Sequence, residues 1–186
     1  MLDAGLQDGL WVVRRMRLEV TRLPALGEHV RLQTWCSGIG QRTAERRTTV
    51  EGDGGAAIAA VAVWVHLDPA TGAPGRLGGR FAEIYGPSAG PGRPDHRLRH
   101  PPPPTDAARH PWTFRAADVD VAGHVNNAVY WEGLEERSAP GEPFAVEAEH
   151  RAPAVAGPAL LIHDGAFTWL TSPAGEVHAS FEVSAS

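Results

Sequence analysis

Eight of the sixteen prolines in this chain fall between Pro87 and Pro111, and Pro101 to Pro104 stand in an unbroken row. Proline fixes φ and removes a backbone donor, so such a stretch suits neither the middle of a sheet nor the inside of a helix. From Glu83 onward the hydrophobic periodicity also stops. Residues 83–110 are therefore expected to form a partly extended linker between an N-terminal unit over 1–82 and a C-terminal unit over 111–186. At 186 residues the chain is long enough for two small domains.

Both flanking parts carry strand signals. Residues 11–20 read as a strand, with a turn at Leu23-Pro24. In 28–36, Val30, Leu32 and Thr34 alternate with His29, Arg31 and Gln33, as in a half-buried strand. Residues 41–50, rich in Thr and Arg, suit a third strand exposed on one side, and Gly52-Asp53-Gly54-Gly55 is a turn cluster. The apolar run 56–67 has the composition of a helix. The turn before it, Val61, Val63 and Val65 within it and Asp68-Pro69 after it favour a central strand. Later strands are expected over 144–152, 159–169 and 175–183, with Ser172-Pro173-Ala174-Gly175 as a hairpin turn. Two antiparallel-sheet modules result, of α+β class, and only the second shows a convincing helix.

That helix follows the most polar-reactive stretch of the chain, Arg115 to Glu136. Here Asp118, Asp120, His124, Asn126 and Asn127 crowd together, and then Val129, Tyr130 and Leu134 recur near helical spacing. Asn126 and Asn127 are good helix starters, because an Asn side chain can accept a bond from an orphaned amide. Reactive groups thus stand where a loop enters a helix, and unpaired N–H groups there suit developing negative charge.

Composition bounds the remaining classes. Hydrophobic content of 42% with 21% charge describes a globular chain, and no apolar run is long enough to span a bilayer as a helix. The start, MLDAGLQDGL, has no basic region of a secretory signal. The single cysteine, Cys36, cannot form an internal disulfide, which fits a cytoplasmic location. Residues 1–80 carry ten arginines against eight acids, and 81–186 carry seven against fourteen. Nothing is basic enough for a nucleic-acid footprint. Arg14, Arg15, Arg17 and Arg22 are the candidates for a face that meets an acidic protein, and solvated strand charges are the preferred reading of them.

The run Asp118-Val119-Asp120-Val121-Ala122-Gly123-His124-Val125-Asn126-Asn127, ending in Tyr130, resembles the D-x-D-x-x-x-H-V-N-N-x-x-Y signature of hotdog-fold thioesterases. Trp11-Val12, Arg22-x-Pro24, Thr34-Trp35 and Trp64-Val65 with Asp68 and Thr71 resemble the acyl-[acyl carrier protein] (ACP) thioesterases in particular. The resemblance implies tandem hotdog folds, in which each antiparallel sheet curls round a helix. It implies hydrolysis of fatty acyl thioesters in fatty acid biosynthesis, with catalysis in the second unit, no cofactor and no metal. The partners would be an acyl-ACP or CoA thioester and a second copy in a homodimer, with no membrane or nucleic acid. Asp120 would act as base or attacking carboxylate, and His124 would orient a reactant or carry a proton. Val125, Asn126 and Asn127 would line the thioester site. Asp118 reads better as a loop cap.

Three departures from the family pattern stand in the sequence. Ala122 replaces a usual Asn, and Pro153 and Ala154 occupy the place of a usual Glu. Only ten residues precede Trp11, too few for the strand and helix that open the family's first unit. That predicts a missing or truncated first helix, whose sheet face is covered by upstream chain or by a partner. A catalytically degenerate acyl-binding relative is the alternative to the enzyme.

Other signals are rejected. Gly86-Pro87-Ser88-Ala89-Gly90 matches a nucleophile elbow, but it sits in the proline-rich linker with no following helix and no alternating βα pattern. Cys36, with only His29 near it in sequence, reads as a buried thiol. Asp118, Asp120 and His124 lack metal-ligand spacing.

Overall fold

The computed structural model describes residues 10–136 and 143–185. The chain forms two compact units, Met1–Leu98 and Arg99–Ser186.

The first unit is built on four antiparallel strands, β1 (Leu10–Arg22), β2 (Val30–Ile39), β3 (Thr43–Gly52) and β4 (Ala57–Leu67), in the order β2-β3-β4-β1. The Ala-rich run is a strand because it is central. Ile58, Ala60 and Ala62 pair with Val20, Leu18 and Met16 on one side and with Val50, Thr48 and Arg46 on the other. Two full ladders of backbone hydrogen bonds override the helical preference of alanine, which tertiary context routinely outweighs. The β3–β4 turn closes where Gly55 takes φ +95, a conformation that glycine adopts without strain.

Two expectations change here. In β2, Val30 and Leu32 are 48% and 63% exposed, not half-buried. Among the described residues this strand has a sheet neighbour on one side only, and its alternation does not bring burial. A short helix, α1 (Gly79–Tyr85), also follows β4, packing Phe81 against Trp11 with ring centroids 5.0 Å apart. The helix expected ahead of β1 would fall on residues 1–9, outside the described residues.

The second unit contains β5 (Arg109–Phe114), α2 (Val129–Glu135), β6 (Phe144–His150), β7 (Gly157–Asp164), β8 (Phe167–Thr171) and β9 (Val177–Ala185). Its sheet runs β6-β9-β8-β7-β5, with every pair antiparallel. The expected single strand over 159–169 is two strands. Asp164 pairs with Phe167 across a two-residue loop in which Gly165 has φ +54. Glycine at the first position of a two-residue loop is the type II′ hairpin signal, hidden here by apolar residues on both sides of it. Helix α2 lies so close to the sheet that a Cβ on Gly133 would stand 2.9 Å from Leu170 Cδ1 and 3.2 Å from Leu161 Cδ1. Both leucines are buried and cannot swing away. Gly133→Val should therefore lower the unfolding free energy by about 1–3 kcal/mol through overpacking, measured by urea titration.

The expected linker over 83–110 begins instead in the end of α1 and a 3-10 turn over Gly86–Ser88, and the proline-rich stretch is largely docked. Polyproline offers carbonyl acceptors and few donors, and the second unit meets both needs. The indole N–H of Trp169 donates to the Pro101 carbonyl at 2.9 Å. The N–H groups of Arg99 and His100 donate to the Glu149 carboxylate, the latter at 3.2 Å. In the first unit, Gly92 bridges to Gly38, where a Cβ would meet the Gly92 carbonyl oxygen at 2.5 Å. That close approach requires glycine.

Candidate active site

Between β5 and α2 the chain forms a tight double-backed loop. A 3-10 turn over Ala116–Asp118 leads into a bridge between Val119 and Val125. Within it Asp120 N–H donates to the His124 carbonyl at 2.9 Å, and Gly123 N–H donates to the Asp120 carbonyl at 3.0 Å. Gly123 has φ +79, which closes the turn at low cost. Asp120 and His124 are thus held at the two ends of one turn, and both are exposed. The Asp120 carboxylate accepts the Ala122 N–H at 2.8 Å.

Asp118 plays the capping part expected of it. It is buried and accepts the Arg115 N–H at 2.7 Å and Arg115 Nε at 2.8 Å. The Arg115 side chain, and then its backbone N–H, hold the Asp118 carboxyl below the usual carboxylate range. A lowered folded-state pKa stabilises fully above the unfolded-state value of about 3.9, and that contribution is lost as pH falls through the folded-state value. Asp118→Asn should therefore destabilise the protein at pH 7, with the difference from wild type shrinking below about pH 4. Urea unfolding at both pH values checks the sign.

The helix start differs from the expectation. Helix α2 begins at Val129 with Ala128 as its N-cap, and no side chain caps it. Asn126 acts one step earlier, its Oδ1 accepting the Ala128 N–H at 2.9 Å while its carbonyl accepts the Val129 N–H at 3.0 Å. Asn126 N–H goes to the Asp118 carbonyl and Val125 N–H to the Ala154 carbonyl, each at 2.8 Å. Among the described residues this leaves Asn127 N–H as the unclaimed amide of the stretch 125–129. The Val125 side chain is buried, whereas Asn126 and Asn127 are exposed.

Sequence reasoning missed one anchoring residue. Tyr130 is 2% exposed, and its hydroxyl accepts the Ala154 N–H at 3.2 Å. Burial pushes its phenol up, with the Asp120 charge adding to the shift. The segment in which a family glutamate is expected thus reaches the loop through the Ala154 backbone, and Pro153 and Ala154 bring no carboxylate to it. A contact across twenty-four residues leaves no mark in local spacing.

The arginine candidates of β1 are engaged nearby. Arg17 pairs with Glu19 at 2.8 Å, Arg22 donates to the Gly54 carbonyl, and Arg15, with its side chain only 12% exposed, donates to the Asp95 carbonyl at 3.3 Å. Metal-like spacing among the described residues occurs at His100, Glu147 and Glu149. Glu149 there already accepts the Arg99 and His100 N–H groups and Arg151 Nη2. A cation would have to displace those donors, so the cluster reads as a structural ion network.

The match to known families decides the family of the chain. The model of the acyl-ACP thioesterase N-terminal domain matches residues 5–85, and that of the acyl-ACP thioesterase C-terminal domain matches residues 102–150. The chain belongs to the acyl-ACP thioesterase family. Its fold agrees with solved acyl-ACP thioesterases. One from Bacteroides thetaiotaomicron superposes with TM-score 0.78 at 20% identity, covering 95% of this chain and 76% of that one. The 12:0-ACP thioesterase of Umbellularia californica gives TM-score 0.75 at 20% identity, covering 96% and 74%. At such identities the likeness is one of fold, and the fold is the hotdog-like α+β architecture.

Among curated proteins, an uncharacterised Mycobacterium tuberculosis protein is 27% identical over 160 residues, covering 82% of this chain and 62% of its own length. A chloroplastic acyl-[acyl-carrier-protein] hydrolase of Cuphea viscosissima is 30% identical over 148 residues, covering 76% and 36%. This acyl-ACP thioesterase family member thus spans about three fifths of the first relative and little more than a third of the second. No helix among the described residues is long and apolar enough to cross a membrane.

Proposed function

We propose that this acyl-ACP thioesterase family member hydrolyses fatty acyl thioesters, releasing a free fatty acid and the carrier thiol, with Asp120 and His124 as its catalytic residues. One observation carries the reading: in a chain whose two parts match the family's two domains, Asp120 and His124 are pinned to the ends of a single exposed turn. Water attacks the thioester carbonyl carbon, and the Asp120 carboxylate takes its proton; direct attack by Asp120 is the covalent variant. The oxyanion that forms needs a donor, for which the unclaimed Asn127 N–H is the candidate. Collapse breaks the C–S bond, and His124 carries a proton to the departing sulfur. A seven-residue helix has a weak dipole, so the single amide matters more than the helix end.

ACP is proposed as the carrier because the first-unit match and the Cuphea relative both belong to ACP enzymes. A CoA carrier is the second reading. A cytoplasmic setting is part of the proposal, motivated by the single free thiol, Cys36. An acyl-binding relative without turnover is favoured by Ala122 and by the lack of a carboxylate at Pro153 and Ala154. Thiol release from a panel of acyl-ACP and acyl-CoA thioesters, wild type beside His124→Ala, separates these readings. Turnover that disappears in the variant supports the enzyme; binding without turnover in the wild type supports the relative.

A further inference from the structure

The first unit contains a cleft of about 300 Å³. Trp11, Trp35 and Trp64 wall it from the sheet, and Phe81 and Tyr85 wall it from α1. Trp11, Phe81 and Tyr85 form a continuous ring surface, with successive centroids 5.0 and 4.7 Å apart and tilts of 33° and 39°. Ala44 is the sole aliphatic side chain in the lining.

The polar part of the wall is just as one-sided. Arg46 Nε donates to Thr34 Oγ1 at 2.7 Å, which steadies the guanidinium. Arg46 has no acidic partner among the described residues, so its remaining donors are uncommitted. Trp64 Nε1 is buried and has no hydrogen-bond partner. One carboxylate oxygen of Glu45, Oε1, accepts Ser37 Oγ at 2.7 Å and Arg47 Nε at 3.5 Å. The cleft thus presents two uncommitted donor groups, the Arg46 guanidinium and Trp64 Nε1, set among flat aromatic faces.

We propose that this cleft binds a planar aromatic carboxylate, its ring against the tryptophan and α1 rings and its carboxylate on Arg46 and Trp64 Nε1. A carboxylate matches the guanidinium fork and satisfies an N–H otherwise left buried. A saturated chain would gain only burial in such a space, whereas a flat ring adds offset-stacked and edge-to-face contact. The site lies wholly within the first unit and goes beyond the hydrolase reading, because it holds whether or not the chain cleaves thioesters.

Calorimetry on the full chain tests it with 2-naphthoate, the neutral 2-naphthalenemethanol and the aliphatic decanoate. The expected result is naphthoate binding at least tenfold tighter than either comparator. Arg46→Met, at an exposed position, should remove that advantage over the alcohol without changing the alcohol's own affinity. Trp64→Phe should weaken naphthoate more than the alcohol. Cys36 lines the same cleft, so saturating naphthoate should slow alkylation of this single thiol severalfold. Naphthoate that binds no tighter than either comparator, binds Arg46→Met as well as wild type, leaves Cys36 alkylation unchanged or does not bind would overturn the proposal.

Discussion

Asp120→Ala should lower kcat on acyl thioesters by roughly 10²- to 10⁴-fold, the range set by loss of a general base. Its effect on stability should be small. Asp120 is exposed, and its recorded side-chain hydrogen bond is to the Ala122 N–H, a local turn contact of about 0.5–1.5 kcal/mol. The backbone bonds from Asp120 N–H to the His124 carbonyl and from Gly123 N–H to the Asp120 carbonyl survive the substitution. Steady-state kinetics beside urea unfolding reads both quantities on one preparation. A large loss of rate with near-native stability is the signature of a residue that acts on substrate. An equal loss of both would move Asp120 into the supporting frame with Asp118.

Glu149→Ala should have the opposite profile, lowering the unfolding free energy by about 3–5 kcal/mol, the cost of breaking a buried ion pair on one side. Glu149 is fully buried, and its loss would strand two N–H groups and remove one acceptor of the Arg151 guanidinium, which also donates to the His100 carbonyl at 2.6 Å. His100 lies in the same network, its Nδ1 hydrogen-bonded to Ser180 Oγ at 2.9 Å. Burial pushes the His100 imidazole down, opposed mainly by Glu149. Denaturant unfolding gives the magnitude, and hydrogen exchange at the Arg99 and His100 amides locates it. A change below about 1 kcal/mol would mean that the docked polyproline stretch does not depend on this carboxylate.

Much of the fold was legible because its strands end in explicit turn chemistry. Gly52–Gly55 and Ser172–Gly175 mark hairpins, and the Ala-rich run of β4 is bounded on both sides. The Asp164-Gly165 turn was overlooked because β7 and β8 carry apolar residues on both faces, so their alternation fades into one run. Helix α1 was overlooked for another reason. Its seven residues begin at a glycine pair and bury only Phe81, too little for a 3.6-residue period to register.

The candidate site divides the same way. The chain segment that carries Asp120 and His124 was legible from residue identity and spacing, since the turn is local. What positions that segment was not. The Tyr130–Ala154 contact and the Val125 bond to the same residue join parts of the chain far apart in sequence. The Asn127 amide, unclaimed among the described residues, is defined only by what its neighbours bind. The aromatic cleft draws its walls from four strands and α1, so composition names its tryptophans without bringing them together.

The most direct test of the account is the stoichiometry of products from acyl-ACP substrates spanning medium and long chains, with thiol and free fatty acid measured in the same reaction. The wild-type protein should release both in equal amounts well above the uncatalysed rate. Wild-type protein that binds these substrates and releases neither product would contradict it.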